Sequence, residues 1–157
     1  MSPDLTPEAV NALVAKEFPA SYSDGNRCVE LGEGTALARW SFDVAKLRPG
    51  AYVPGPTLFA LADSALWYAC FTVLGLEPMA VTSEMSIRFL RPAQGGDVVA
   101  RATINSVSAR RLVGTIELWV DDAPERLVAV AQGSYSPPTA GSNAMKPPAA
   151  QEGAGAS

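Results

Sequence analysis

Histidine is absent from all 157 residues. That absence removes the Ser-His-Asp and Cys-His nucleophilic mechanisms, together with the commonest metal-ligating side chain. Cysteine is scarce: Cys28 and Cys70 stand far apart, with neither zinc-ligand spacing nor a disulfide framework. No metal site is expected, and Cys70, inside an apolar run, reads as a small core residue. Basic residues are few, with 12 Lys and Arg against 16 Asp and Glu and a formal net charge of −4. No basic stripe is available to track phosphates, so nucleic acid is not an expected partner. A few local arginines still suffice for a small anion. Met1-Ser2-Pro3-Asp4 has neither a basic nor an apolar leader region, so no signal peptide is expected. The one long apolar stretch, 54–75, approaches bilayer length, but Asp63, Ser64 and Thr72 interrupt it and no Lys or Arg flanks it. No membrane partner is expected, and a cytoplasmic protein is the default.

What is present is a sizeable core. Hydrophobic residues make up 48% and charged residues 18%, which fits a single domain over residues 1–136. "LTPEAVNALVAKEFP" reads as an amphipathic helix. Thr6 suits the N-cap, Pro7 the first helical position and Glu8 the positive end of the dipole, and Val10, Leu13, Val14 and Phe18 recur at helical spacing. Pro19 is expected to end it. "RCVELGEGTALARWSFD" reads as two strands about a glycine turn. The apolar run "PGPTLFALADSALWYACFTVLG" is a long helix. "MAVTSEMSIRFLRP" alternates, with Val81, Met85, Ile87 and Phe89 on one face and Thr82, Glu84, Ser86 and Arg88 on the other. Three more strands follow, "DVVARATINSVS", "RLVGTIELWVD" and "RLVAVAQGSYS", and the last four are expected in meander order. Residues 137–157 are Pro, Ala, Gly and Ser with almost no large apolar side chain, and are expected as a disordered tail.

One helix among consecutive strands implies an α+β fold with an antiparallel sheet. A helix apolar nearly all round must be enclosed on more than one side, so the sheet is expected to curve around it. Asp63 is then the anomaly. A carboxylate buried without partners costs several kcal/mol, which makes it a candidate site rather than a core residue.

Two segments carry a family likeness. "VPGPTLFALADSALWYA" is similar to the segment "HGG-x-LF-x-LAD-x-A", and "AVTSEMSIRFLRPAQGGDVVARATI" to a strand ending in "FLRP" and "GD". Both resemble the hotdog-fold acyl-CoA thioesterases of the phenylacetate-pathway, PaaI-like, type over about residues 35–136. The resemblance implies a curved antiparallel sheet wrapped around one long central helix, plus the N-terminal helix. It implies Asp63 as general base or nucleophile. It implies the Gly55 N–H as the oxyanion donor at the helix start, with a thioester lying between the two. Thr82, from a facing subunit, would hold the attacking water. Arg48 stands where the family carries an Asn and Pro54 where it carries a His. The resemblance further implies CoA contacts at Arg91, Arg110 and Arg111, and an acyl pocket walled by Phe59, Trp67 and Tyr68. No cofactor is implied, since CoA arrives as part of the substrate. The assembly implied is a homodimer or a dimer of dimers.

Two other functions remain open at this point. One is a non-catalytic acyl-CoA-binding protein on the same fold, motivated by Pro54 and Arg48. The other is a hydratase or dehydratase, weakened by the missing histidine.

Overall fold

In the computed structural model, which describes residues 1–139, Thr6 Oγ1 accepts the Ala9 N–H at 3.1 Å and Pro7 opens α1 (Pro7–Glu17). Val10 and Val14 are buried on its inner face. Pro19 ends α1 as expected but also starts a short second helix, α2 (Pro19–Ser23), which the sequence reading missed. Proline at a first helical position loses no hydrogen bond, so the same residue serves both purposes. The tail expected over 137–157 lies outside the described residues from residue 140 onward.

Strands β1 (Asn26–Gly32) and β2 (Thr35–Trp40) form the expected hairpin. The long apolar stretch is α3 (Gly55–Leu74), with Pro54 at its N-cap and Gly75 at its C-cap. Four strands follow: β3 (Val81–Phe89), β4 (Val98–Val107), β5 (Leu112–Val120) and β6 (Ala129–Ser136). All six form one antiparallel sheet in the order β1-β2-β4-β5-β6-β3.

That order corrects the expected meander. Of the last four strands only β4, β5 and β6 run consecutively, while β3 sits at the edge beside β6. The chain between β3 and β4 crosses two intervening strands, about 14 Å at the usual strand spacing. Its eight residues, 90–97, are too many for a tight hairpin and long enough for that span. Val53 N–H donates to Ala93 O at 2.8 Å, tying the crossing to the chain just before α3.

Helix α3 packs against all six strands. Its side chains from Ser64 to Phe71 are buried without a break, and Leu61, Leu66, Tyr68 and Phe71 are fully enclosed. Each such large apolar side chain contributes roughly 1.5–3 kcal/mol on burial. Close approach of α3 is secured by Gly114 on β5, while its ladder partner Gly133 on β6 makes room for Glu84 O and Met85 of β3. A Cβ on Gly114 would stand 2.6 Å from Leu66 Cδ1 and 2.7 Å from the Thr103 carbonyl oxygen.

Candidate active site

Asp63 is the only charged residue of α3. It is half-buried, and its Oδ1 accepts two hydroxyl hydrogen bonds. Tyr135 donates at 2.6 Å and Thr82 at 2.8 Å. The Tyr135 hydroxyl also lies 3.1 Å from the Asp63 carbonyl oxygen. Among the described residues, no donor reaches Oδ2.

The two donors face one another, because Thr82 and Tyr135 are ladder partners in the β3–β6 pair. A bulge sets that register: Ser83 is the extra residue between Thr82 and Glu84. Its hydroxyl lies 2.8 Å from Ser134 Oγ and 3.2 Å from Ser134 O. Strict alternation puts Thr82 on the face opposite Met85 and Ile87. The bulge corrects this, moving Thr82 onto the helix-facing side that Met85 shares with Gly133. Thr82, expected from a facing subunit, here donates to Asp63 of its own chain.

Tyr135 is 4% exposed. Burial, with the Asp63 carboxylate beside it, pushes its hydroxyl far above the usual tyrosine range, so the proton stays on Tyr135 and the group acts as a donor. Burial first, then proximity to Asp63, raises the Cys70 thiol to about 12, which leaves it a neutral neighbour.

Gly55 opens α3, and its N–H takes part in no hydrogen bond among the described residues. A Cβ there would meet the Phe89 ring at 3.3 Å, so Phe89 roofs the helix start. Pro56 follows and contributes no N–H. Eight residues separate Gly55 from Asp63, about 12 Å of helix rise. A carbonyl held at about 3 Å by one group and attacked at about 3 Å by the other spans roughly 7 Å. Along one chain, then, the two groups are separated by more helix rise than a thioester touched directly by both would span.

The thioesterase superfamily model matches residues 50–126. Acyl-coenzyme A thioesterase PaaI of Escherichia coli (strain K12) is 30% identical over 105 residues, covering 67% of this chain and 72% of that protein. The chain belongs to the PaaI-like hotdog thioesterases. Among solved structures, a conserved protein from Pseudomonas aeruginosa is 30% identical with a TM-score of 0.69, covering 75% of this chain and 92% of its own. A mutant of the phenylacetic acid degradation protein PaaI from Thermus thermophilus is 27% identical with a TM-score of 0.65, covering 76% of this chain and 98% of its own.

In this thioesterase the other anticipated residues scatter. Arg48 is exposed on the loop before α3. Its backbone N–H donates to Tyr52 O at 3.0 Å, and among the described residues its guanidinium forms no ion pair, with Asp63 or otherwise. Arg91 Nη1 donates to Leu127 O at 2.8 Å. Arg110 and Arg111 are exposed in the β4–β5 turn, where both backbone N–H groups bond Ser108 Oγ. Phe59 is exposed, whereas Trp67 is buried, with its ring against Phe18, Tyr68 and Phe71. Tyr68 is fully enclosed and forms no wall of an open pocket. The residues the sequence reading missed are Phe89, as the roof of Gly55, and Tyr135. Parity along β6 was the available signal: Ala129, Ala131 and Gly133 face the helix, and Tyr135 continues that face. A tyrosine buried there needs a partner for its hydroxyl.

Proposed function

We propose that this thioester hydrolase acts on acyl-CoA, with Asp63 Oδ2 as the reacting oxygen. The observation that carries the reading is the asymmetric carboxylate: Oδ1 is held by two hydroxyls and Oδ2 is left for chemistry. As general base, Oδ2 takes a proton from water as the water oxygen bonds to the thioester carbon. A Gly55 N–H at the positive end of α3 stabilises the resulting oxyanion. Collapse breaks the C–S bond, and Asp63 returns the proton to the departing sulfur. As nucleophile, the same Oδ2 would form a mixed anhydride that water then opens.

Direct attack by Oδ2 favours a Gly55 from a second copy, whereas a water between Oδ2 and the carbonyl adds about 3 Å and narrows the gap within one chain. The edge strand β3 carries exposed Val81 and Phe89, exposed Leu90 follows it, and the helix start carries exposed Phe59. These apolar groups support a dimer on that face, and a dimer of dimers is compatible with it. An acyl group of short to medium length, or an aryl group, would lie against Phe59 and Phe89. Arg91, Arg110 and Arg111 are the candidates for CoA phosphates, and Arg48 and Pro54 flank the entrance. No further cofactor is required, and the reading places the enzyme in the cytoplasm.

The test is hydrolysis of a panel of short-chain, medium-chain and aryl acyl-CoAs, with Asp63→Asn as control. At least one member should turn over, and Asp63→Asn should lower kcat by about 10²–10⁴-fold. Turnover unchanged in Asp63→Asn sinks the assignment of Asp63. Activity per chain should also fall when dilution yields monomer.

A further inference from the structure

We propose that Tyr135 is a positioning residue of the hydrolysis, holding Asp63 Oδ1 so that only Oδ2 is presented to substrate. The proposal rests on reading Asp63 as the reacting carboxylate. Tyr135 lies outside residues 50–126, the span matched by the superfamily model, so that match says nothing of it.

Three observations carry it. First, the contact is short and one-sided: the hydroxyl lies 2.6 Å from Oδ1 and 3.1 Å from the carbonyl oxygen of the same residue. A donor that bridges a residue's side chain and its own backbone fixes the side-chain torsion between them. Second, the donor is itself enclosed. Tyr135 is 4% exposed, stands on β6 between β5 and β3, and its ring lies beneath α3. Third, Thr82 is registered opposite Tyr135 by the bulge at Ser83, and both hydroxyls converge on one oxygen. A carboxylate with unequally loaded oxygens presents one oxygen, Oδ2, without a partner among the described residues. Without the tyrosine, Thr82 alone would hold Oδ1, from an exposed edge strand.

Tyr135→Phe deletes the hydroxyl and keeps the ring. The expected result is a kcat lowered about tenfold or more with KM within about twofold, because binding surfaces are untouched while the reacting oxygen is less often aligned. The decisive measurement is a double-mutant cycle with Asp63→Asn. If Tyr135 acts through Asp63, Tyr135→Phe costs nothing further in the Asp63→Asn background. Equal costs in both backgrounds, or a lowered melting temperature with kcat unchanged, overturn the proposal.

A second readout needs neither activity nor the Tyr135 variant. The chain has four tyrosines, so ring-labelled tyrosine gives a spectrum simple enough to follow each one. In the wild type, Tyr135 should show a downfield, slowly exchanging hydroxyl proton that shifts in Asp63→Asn. A Tyr135 hydroxyl signal unmoved by Asp63→Asn overturns the contact itself. Unchanged turnover in Asp63→Asn with a shifted Tyr135 signal overturns only the catalytic reading of Asp63.

Discussion

Thr82 sits on an exposed edge strand, yet its hydroxyl is one of only two donors, among the described residues, to the carboxylate of α3. Thr82→Val removes that donor at nearly constant volume. Its effect on urea-unfolding stability should stay within about 1 kcal/mol, because Asp63 Oδ1 keeps the Tyr135 donor and water can replace the lost hydroxyl at an exposed position. Its effect on kcat should reach about tenfold, the loss of one hydrogen bond to a charged group. Steady-state kinetics beside an unfolding curve separates the two. Asp63 itself was legible in the sequence as the one charge in an apolar helix. Its partners were not, because Thr82 and Tyr135 meet it only through a register that local alternation does not encode. The sequence pattern placed Thr82 on the wrong face for a single physical reason, the extra residue at Ser83.

Elements were more legible than contacts. The extent of α3 followed from an uninterrupted apolar run bounded by Pro54 and Gly75, and the N-terminal helix from its cap. Strand order was not legible, since which strands pair is decided by long-range packing and not by composition. The Gly114–Gly133 pair belongs to this scale too. Gly114→Ala should destabilise the protein by about 1–3 kcal/mol, because the added methyl meets both Leu66 and the Thr103 carbonyl, a backbone atom that cannot step aside. The midpoint of urea unfolding should fall while the slope stays constant. A Gly114→Ala protein as stable as the wild type would mean that α3 sits higher over the sheet than the structure places it.

At the scale of the whole molecule, four buried acidic protons set the alkaline limit. Burial raises Cys28 from 9.0 to about 12, Tyr68 from 10.0 to about 12 and Cys70 from 9.0 to about 12, and it raises Tyr135 further. The folded chain holds these protons after the unfolded chain has released them, so stability falls with rising pH. Their contribution should be fully present below about pH 9 and lost progressively as pH climbs through about 12. Chemical denaturation at neutral pH and across that alkaline range checks this. A flat profile would mean that these groups are better hydrated than their burial implies. The fold class was legible at this scale, because a helix apolar on every side leaves a wrapped sheet as the economical enclosure.

The position of β3 at the edge of the sheet has a consequence in time rather than in space. β6 is hydrogen-bonded on both sides, but β3 on one only, and edge strands breathe first. Each time β3 lifts, Asp63 loses Thr82 and keeps Tyr135. The carboxylate is thus gripped by one finger on a strand paired along a single side and one on a strand paired along both. Amide exchange along β3 measures how frequently the grip is halved, and a second copy seated on that edge would slow the breathing and keep the grip closed.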